Sequence, residues 1–186
     1  MPQEVTLTKS QLRNILLTRL KEQKEEEFER KVKLIENKLL EQEEFVKAKR
    51  IMFYLAFDGE VKTKNMINKA RELDKEIYAP ICDREEKMLK PGLLSNDSTL
   101  VKGPYQAWEP QTTDGLSLEE LDLVIVPGVG FDAHNNRLGR GKGYYDRLLK
   151  QTAGKVYSMG LAFDFQVLPK LPLDSHDMPV DKVISA

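Results

Sequence analysis

The sequence predicts an α/β fold, in the form of a single three-layer α/β/α domain with a mainly parallel sheet. Apolar runs of strand length alternate along the chain with segments whose apolar residues recur at helical spacing. Strands that alternate with helices form parallel sheets covered on both faces, because each crossover helix packs back on the sheet. The length of 186 residues suits one domain, 1–186, with a sizeable core.

The amino-terminal part is predicted to form two helices within residues 9–48, which contain no glycine or proline. Thr8 and Gln11 have the spacing of a capping box, which places Lys9 at the first helical position. The charged faces of the second helix favour a solvated scaffold over a binding surface. Each helix is expected to bury one apolar stripe: Leu12, Ile15, Leu16 and Leu20 in the first, and Phe28, Val32, Ile35, Leu39 and Val46 in the second.

The remaining elements follow from apolar runs and turn residues. Residues 83–119 are rich in proline, glycine, asparagine and aspartate, which predicts short hairpins and loops. An excursion of this length within a compact domain is often functional. We predict strands at 51–57, 77–82, 121–126, 155–163 and 183–185, and helices at 64–75 and 144–150.

Charge and cysteine content narrow the class of protein. Lysine plus arginine number 29 against 30 aspartate plus glutamate, so no overall field favours nucleic acid or a membrane surface as partner. The single cysteine, Cys82, excludes an internal disulfide and is expected to be a small core residue. No signal peptide or membrane-spanning run is visible. The charged second helix offers no extended apolar surface for a protein partner. We therefore expect a cytoplasmic monomer.

Residues 137–143 form a loop rich in glycine and cations at the carboxyl end of the predicted strand 121–126. Glycines let an anion approach backbone N–H groups, and the helix start at Tyr144 adds partial positive charge. A polyphosphate is the expected ligand, with a flexible basic surface loop as the alternative. The loop differs from the common P-loop because Gly143 follows Lys142 where serine or threonine is required. Its charged and glycine positions are Arg137, Gly139, Arg140, Gly141, Lys142 and Gly143.

Three further charged residues suit the same ligand. Asp146 lies four residues after Lys142, where it can form a salt bridge with that lysine or, beside bound phosphates, hold Mg²⁺. Lys9 and Arg13 lie one turn apart at a helix start, where the helix dipole disfavours cations. A nearby anion would relieve this cost, and a solvated basic face is an equally supported alternative.

A second group of residues suggests a pocket for an aromatic ring. Glu60 follows the strand 51–57 and should lie at the same sheet edge as the glycine loop, where its carboxylate can accept paired hydrogen bonds from a ring with adjacent N–H groups. An exposed loop glutamate is the alternative. Tyr105 and Trp108 can stack on such a ring, or they can anchor the segment 83–119 to the core. His134 and His176 lack the spacing of a zinc site and are assigned to solvated loops.

The run PGVGFDAHNNRLGRGKGYYDRLL, residues 127–149, resembles the signature of the 5-formyltetrahydrofolate cyclo-ligase family, also called 5,10-methenyltetrahydrofolate synthetase. Lys9 with Arg13, residues 54–63 with Glu60, Glu109-Pro110 and the run HDMPVDKVIS from 176 are similar to the family as well, so the resemblance spans nearly the whole chain. It implies a fold like that of sugar-phosphate isomerases and CoA transferases.

The resemblance also implies an activity. Enzymes of this family convert 5-formyltetrahydrofolate into 5,10-methenyltetrahydrofolate, with ATP as co-substrate and Mg²⁺ as cofactor. Arg140 and Lys142 would then be catalytic, Asp146 and Asp177 would bind the metal, and Asp177 is proposed from the resemblance alone. The implied ATP-binding residues are Lys9, Arg13, Arg137, Leu138, Gly139, Arg140, Gly141, Lys142, Gly143, Tyr144 and Tyr145, and the implied folate-binding residues are Leu55, Glu60, Tyr105 and Tyr144.

Two other functions are compatible with the residues alone. The chain shows no serine elbow, cysteine–histidine pair or carboxylate dyad, so a nucleophile supplied by the enzyme is not expected. Phosphoryl transfer needs mainly positioning and charge stabilisation, which a glycine loop can provide. Another enzyme of related architecture and a non-catalytic nucleotide-binding module are the rival hypotheses, because fold does not determine function. The orientations of the two tyrosines stay open, with Tyr144 expected towards folate and Tyr145 towards the nucleotide or core.

Overall fold

The computed structural model describes residues 7–186. None of the helices in this range has the length and apolar character that crossing a membrane requires. The helices are α1 (Lys9–Lys21), α2 (Glu25–Leu40), α3 (Glu43–Lys47), α4 (Lys64–Glu72) and α5 (Tyr144–Thr152). The strands are β1 (Arg50–Phe53), β2 (Glu76–Asp83), β3 (Met88–Leu93), β4 (Leu100–Lys102), β5 (Trp108–Pro110), β6 (Leu123–Val126), β7 (Gly130–Asp132), β8 (Arg137–Leu138), β9 (Tyr157–Ala162), β10 (Val167–Leu168) and β11 (Lys182–Ser185).

The first helix begins where the capping box predicts. The Thr8 side chain accepts a hydrogen bond from the Gln11 N–H, and the Gln11 side chain accepts one from the Thr8 N–H. The apolar stripe is narrower than predicted, because Leu16 and Leu20 are buried whereas Ile15 is 47% exposed.

The second predicted helix is interrupted, so the amino-terminal part contains three helices instead of two. Gln42 adopts extended backbone angles, φ −70° and ψ 133°, which end the helical hydrogen-bonding pattern between α2 and α3. The break rotates the apolar face of the last segment. Phe45 is therefore fully buried, and Val46, predicted to be part of the stripe, is 61% exposed.

The main sheet has six strands in the order β11-β9-β6-β1-β2-β3. Every neighbouring pair is parallel except β2 and β3, which are antiparallel. Only residues 84–87 connect these two strands, and such a short link can join antiparallel strands but cannot make a parallel crossover. The predicted mainly parallel sheet is thus confirmed, with one antiparallel edge strand in the region predicted to form hairpins.

Helices cover both faces of this sheet, as the predicted three layers require. In β1, Ile51 and Phe53 point into a core formed with α1 to α4, whereas Met52 points into a second core that contains Leu148 and Leu149 of α5. The side chains alternate because successive residues of a strand face opposite sides of the sheet. Burial on both faces explains why the inner strands are apolar throughout.

A small sheet, β10-β7-β8, leads into the glycine loop. The sequence predicted only a loop after β6, and the hairpin of β7 and β8 is an additional element. Asp132, which is 1% exposed, accepts hydrogen bonds from the backbone N–H groups of His134, Asn136 and Leu171. The buried carboxylate thereby fixes the turn of the hairpin from which the glycine loop leaves.

Candidate active site

A cavity of about 360 Å³ lies at the carboxyl ends of β1 and β6. From β1 the chain continues to β2 on one side, and from β6 it continues to β9 on the other. This is the topological switch point, where open α/β sheets bind ligands. Its lining includes Leu55 and Tyr54 after β1, Pro127 and Gly128 after β6, and residues 139–146.

The glycine loop borders the cavity at the start of α5. Gly143 is the N-cap of α5 with φ 70°, and Gly141 has φ 97°. Residues with a side chain rarely adopt these angles, so both positions favour glycine on conformational grounds. The carbonyl oxygen of Gly139 accepts a hydrogen bond of 2.8 Å from Nε of Arg13. Arg13, from α1, therefore lies against the loop with which the sequence analysis grouped it.

Arg140 connects the loop to Glu60. Nε and one terminal nitrogen of Arg140 each lie 3.2 Å from Oε1 of Glu60, and the other terminal nitrogen lies 3.5 Å from Asp58. The guanidinium also packs 4.5 Å from the centre of the Phe57 ring. Burial raises the pKa of Glu60, and the positive charge of Arg140 opposes that shift. The predicted phosphate loop and the predicted folate carboxylate thus meet in one cavity.

Asp146 pairs with Arg137 and not with Lys142, the partner considered from the sequence. Arg137 donates to Oδ1 of Asp146 at 3.0 Å and to the carbonyl oxygen of Pro127 at 3.3 Å, and its side chain is only 4% exposed. Nε of Arg137 has no hydrogen-bond partner among the described residues. The guanidinium of Arg137 is therefore buried and holds Asp146 and the carbonyl of Pro127 in place. The sequence predicted that it would lie beside a phosphate.

Leu138, expected among the ATP-binding residues, has a buried side chain. It packs in a small apolar cluster with Leu16, Val129 and Leu171. Its carbonyl oxygen accepts a hydrogen bond from the Val129 N–H. The observed contacts of Leu138 are therefore those of a core residue at the end of the hairpin.

Lys9 lies between two carboxylates of the carboxyl-terminal loop. Its ammonium forms ion pairs with Asp177 and, at 2.6 Å, with Asp174. Burial lowers the pKa of Lys9, but the hydrogen bonds to these two carboxylates outweigh it and raise the pKa overall. Next to Asp177, the Met178 N–H donates to Oδ1 of Asp146 at 3.3 Å. The two predicted metal ligands, Asp146 and Asp177, are thus brought to neighbouring positions by α5 and the last loop.

The potential metal-binding atoms differ in part from the prediction. Asp174, His176 and Asp177 can place one ligand atom each within 4.8 Å of one another, and Asp146 is outside this group. Asp174 and His176 are exposed, and the sequence analysis assigned His176 to solvent. Oδ2 of Asp146 and Oδ1 of Asp177 form no hydrogen bond within residues 7–186, since the bonds of both carboxylates go to their other oxygens.

Aromatic side chains form the outer wall of the cavity. The rings of Tyr105 and Tyr144 lie 5.8 Å apart at 65°, and their hydroxyl oxygens are 3.5 Å apart. Tyr105 and Trp108 are 45% and 48% exposed and both line the cavity, so neither fastens the excursion to the core. Tyr145 lines the same cavity, and burial raises its pKa. Both tyrosines that follow the loop therefore border the site.

Two cavity residues were missed or misassigned by sequence reasoning. Cys82, expected in the core, is half-buried and lines the cavity. Glu109 is 8% exposed, lines the cavity and accepts a hydrogen bond of 3.3 Å from the Cys82 N–H. Burial raises the pKa of the Glu109 carboxyl. The resemblance included Glu109, but no local pattern assigned it a role, because its environment arises from contact with the distant strand β2.

Replacing Glu109 with glutamine is expected to stabilise the protein at neutral pH. The folded-state pKa of Glu109 is raised, so burying the ionised carboxylate costs stability above that pKa, and the cost vanishes as the pH falls below the ordinary value of about 4.3. We expect E109Q to raise the melting temperature by about 2–4 °C for each 1 kcal/mol recovered, with the gain shrinking in acid. Thermal unfolding across this pH range measures the difference. Glu85, which is exposed between β2 and β3, provides the control, and an equal pH-dependent gain in E85Q would contradict the assignment.

Comparisons with known proteins point to one family. The model of the 5-formyltetrahydrofolate cyclo-ligase family matches residues 5–186. The 5-formyltetrahydrofolate cyclo-ligase of Mus musculus is 35% identical over 191 residues, which cover 97% of this chain and 94% of that protein. The protein of the same name from Haemophilus influenzae is 34% identical over 141 residues, covering 74% and 75%.

Solved structures support the same relationship. The NMR structure of Aquifex aeolicus 5,10-methenyltetrahydrofolate synthetase has a TM-score of 0.84 at 34% identity and covers 96% of this chain and 90% of its own. The 5,10-methenyltetrahydrofolate synthetase of Mycoplasma pneumoniae has a TM-score of 0.78 at 23% identity, covering 96% and 98%, and shows the shared fold. From the matched family model and from relatives that cover nearly the whole chain, this protein belongs to the 5-formyltetrahydrofolate cyclo-ligase family and is an enzyme of that class.

Proposed function

We propose that the cavity converts 5-formyltetrahydrofolate into 5,10-methenyltetrahydrofolate, consuming ATP with Mg²⁺ and releasing ADP and phosphate. The observation that carries this proposal is the contact of Arg140 with Glu60 at 3.2 Å, because it joins a glycine loop suited to phosphates to a buried carboxylate suited to a pterin. The enzyme would act in folate one-carbon metabolism, and we propose that it does so as a cytoplasmic monomer.

The nucleotide is proposed to bind along the glycine loop and the start of α5. Backbone N–H groups after Gly141 and Gly143 and the positive end of the helix dipole favour an anion there. Arg13, held against the loop by Gly139, and the exposed Lys142 supply positive charge. Lys9 would join them when a phosphate competes with its two carboxylate partners. Tyr145 borders the same space.

The folate is proposed to bind between Glu60 and the aromatic wall. The Glu60 side chain is only 10% exposed, so its carboxylate can accept hydrogen bonds from the ring N–H groups of a reduced pterin without competition from bulk water. Leu55, Tyr105 and Tyr144 line the same cavity and can pack against the ring faces. The positive charge of Arg140 favours the ionised form of Glu60, in which both carboxylate oxygens can accept hydrogen bonds from N–H groups.

The chemistry requires no nucleophile from the protein. The formyl oxygen of the substrate attacks the γ-phosphorus of ATP, the bond from that phosphorus to the β–γ bridging oxygen breaks, and ADP leaves. The formyl carbon, now double-bonded to N5 and carrying phosphate, is attacked by the anilino nitrogen N10. Loss of phosphate and of the N10 proton gives the methenyl product. Arg140 and Lys142 would stabilise charge on the migrating phosphoryl group, which is where such sites gain most of their rate.

Asp146 and Asp177 are proposed to hold Mg²⁺. Carboxylate oxygens are the ligands that Mg²⁺ prefers, usually one or two of them together with phosphate oxygens. Oδ2 of Asp146 and Oδ1 of Asp177 form no hydrogen bonds within residues 7–186. These two carboxylate oxygens are therefore suited to bind Mg²⁺. A bound Mg²⁺ would neutralise negative charge on the phosphates of ATP. On the protein side, Arg137 orients Asp146 and the Met178 N–H keeps it near Asp177.

The assay that tests this function supplies 5-formyltetrahydrofolate, ATP and Mg²⁺ and follows the near-ultraviolet absorbance of the methenyl product. We expect product only when all three are present, with one ADP formed per product. Omitting each component in turn separates the rival hypotheses. A related enzyme would turn over without ATP, and a nucleotide-binding module would bind ATP without consuming it. Absence of ATP-dependent product from well-folded protein would refute the proposal.

A further inference from the structure

Lys9 is held by the two carboxylates of a short turn in the carboxyl-terminal loop. The Asp177 N–H donates to the carbonyl oxygen of Asp174 at 3.1 Å, and the Asp174 N–H donates to Oδ2 of Asp177 at 2.6 Å. The Lys9 ammonium donates to Oδ2 of both side chains. The turn is thus fixed by its own hydrogen bonds, and both of its carboxylates contact one cation supplied by α1.

Lys9 and the proposed metal require the same negative charge. Asp177 is one of the two proposed metal ligands, and its side chain is 12% exposed while that of Lys9 is 17% exposed, so water screens this ion pair only in part. A divalent cation at the other oxygen of Asp177 would be repelled by the ammonium at short range. Asp174, which has no place in the proposed metal site, strengthens the hold on Lys9 through a second ion pair.

The proposed phosphate site lies close to the same lysine. Lys9 and Arg13 are four residues apart on α1, a rise of about 6 Å, and Nε of Arg13 donates to the carbonyl oxygen of Gly139 in the glycine loop. A lysine carries its charge on a flexible four-carbon chain. Lys9 can therefore turn from the carboxylates towards phosphates bound at the loop while α1 stays in place.

We infer that Lys9 couples the binding of the metal to the binding of the nucleotide. In the nucleotide-free enzyme Lys9 occupies Asp177 and Asp174 and so weakens the binding of a divalent cation. The phosphates of ATP offer the ammonium a more highly charged partner, and its departure frees Asp177 for the metal. This inference rests on the proposed function, and it assigns Asp174 as the residue that positions Lys9 in the nucleotide-free state.

The first experiment measures the binding of Mn²⁺ without nucleotide, because free Mn²⁺ can be counted by electron paramagnetic resonance. We expect K9M to bind Mn²⁺ about tenfold more tightly than the wild type, within the range typical of coupled sites, and the gain should disappear in K9M/D177N. A cation opposes the dipole at a helix start, so α1 should persist in K9M, as thermal unfolding will check. Lys31 is the matched control, because its side chain is also 17% exposed and it pairs with Asp164 of another element. K31M should leave Mn²⁺ affinity unchanged.

The second experiment measures the binding of ATP without metal, by calorimetry in the presence of EDTA. Because D174N removes one of the two partners of Lys9, we expect it to raise ATP affinity about two- to fivefold, the effect of losing a partly exposed ion pair. The gain should disappear in K9M/D174N, where no lysine is left to release. Asp164 is the matched control, since its side chain is 64% exposed against 58% for Asp174, and D164N should give no gain.

Two results would overturn the coupling: equal Mn²⁺ affinities in the wild type and in well-folded K9M, or an unchanged ATP affinity in D174N. If either result came with normal ATP-dependent formation of the methenyl product, the proposed function would stand without the coupling. Failure of the wild type to bind ATP both with and without metal would remove the coupling and the proposed function together.

Discussion

Replacing Arg140 with alanine is expected to lower kcat by about two to three orders of magnitude, the effect seen when a group that stabilises transition-state charge is removed. Arg140 contacts Glu60, Asp58 and the Phe57 ring, and so connects the glycine loop to the buried carboxylate. Its side chain is 33% exposed, so truncation leaves no large buried cavity and the fold should persist. Loss of the positive charge should also raise the pKa of Glu60 further, which weakens folate binding.

Steady-state kinetics with both substrates varied, together with thermal unfolding, measure this prediction. Arg30 offers a matched control, because it pairs with Glu27 on the exposed side of α2, and R30A should leave kcat unchanged. R140K tests whether charge alone suffices or whether the paired hydrogen bonds to Glu60 are needed. Near-normal turnover by well-folded R140A would contradict the proposed role.

Replacing Asp146 with alanine is expected to cost both activity and about 3 kcal/mol of stability. Arg137 is buried, with 4% of its side chain exposed, and Asp146 is its only carboxylate partner in residues 7–186. Removing one member of a buried ion pair leaves an uncompensated charge, which typically costs about 3–5 kcal/mol. For a domain of this size the melting temperature should fall by about 6–12 °C. An exposed pair, Glu43 with Lys47, is the control, and E43A should cause no measurable change.

The double variant R137M/D146L separates the structural role of the pair from its role in the reaction. Buried ion pairs can often be exchanged for apolar residues of similar volume without loss of stability, so this variant should regain most of the melting temperature lost in D146A. It should stay inactive, because only Asp177 is left of the two proposed metal ligands. Recovery of turnover would refute the assignment of Asp146 as a metal ligand. An unchanged melting temperature in D146A would show that the pair contributes nothing to folding.

Residues whose roles depend on their immediate neighbours in the chain were predictable from the sequence. The capping box of Thr8 and Gln11 begins α1 where predicted, because both partners lie within one turn. The alternation of apolar runs with helical segments predicted the parallel sheet, because each strand or helix is recognisable from the spacing of its own apolar residues. The glycine loop was recognisable as well, since Gly141 and Gly143 adopt positive φ values that other residues disfavour.

Partners that are distant in sequence were decided only by the tertiary structure. The pairing of Arg137 with Asp146 and the placement of Glu109 beneath Cys82 depend on how separate elements pack, and no spacing rule connects such positions. The same holds for Lys9, whose two carboxylate partners lie 165 and 168 residues away. Local patterns thus determined the start of α1, the parallel strands of the main sheet and the glycine positions of the loop. Packing determined which charges meet, because the energy of a buried charge depends on neighbours in space and not on neighbours in the chain.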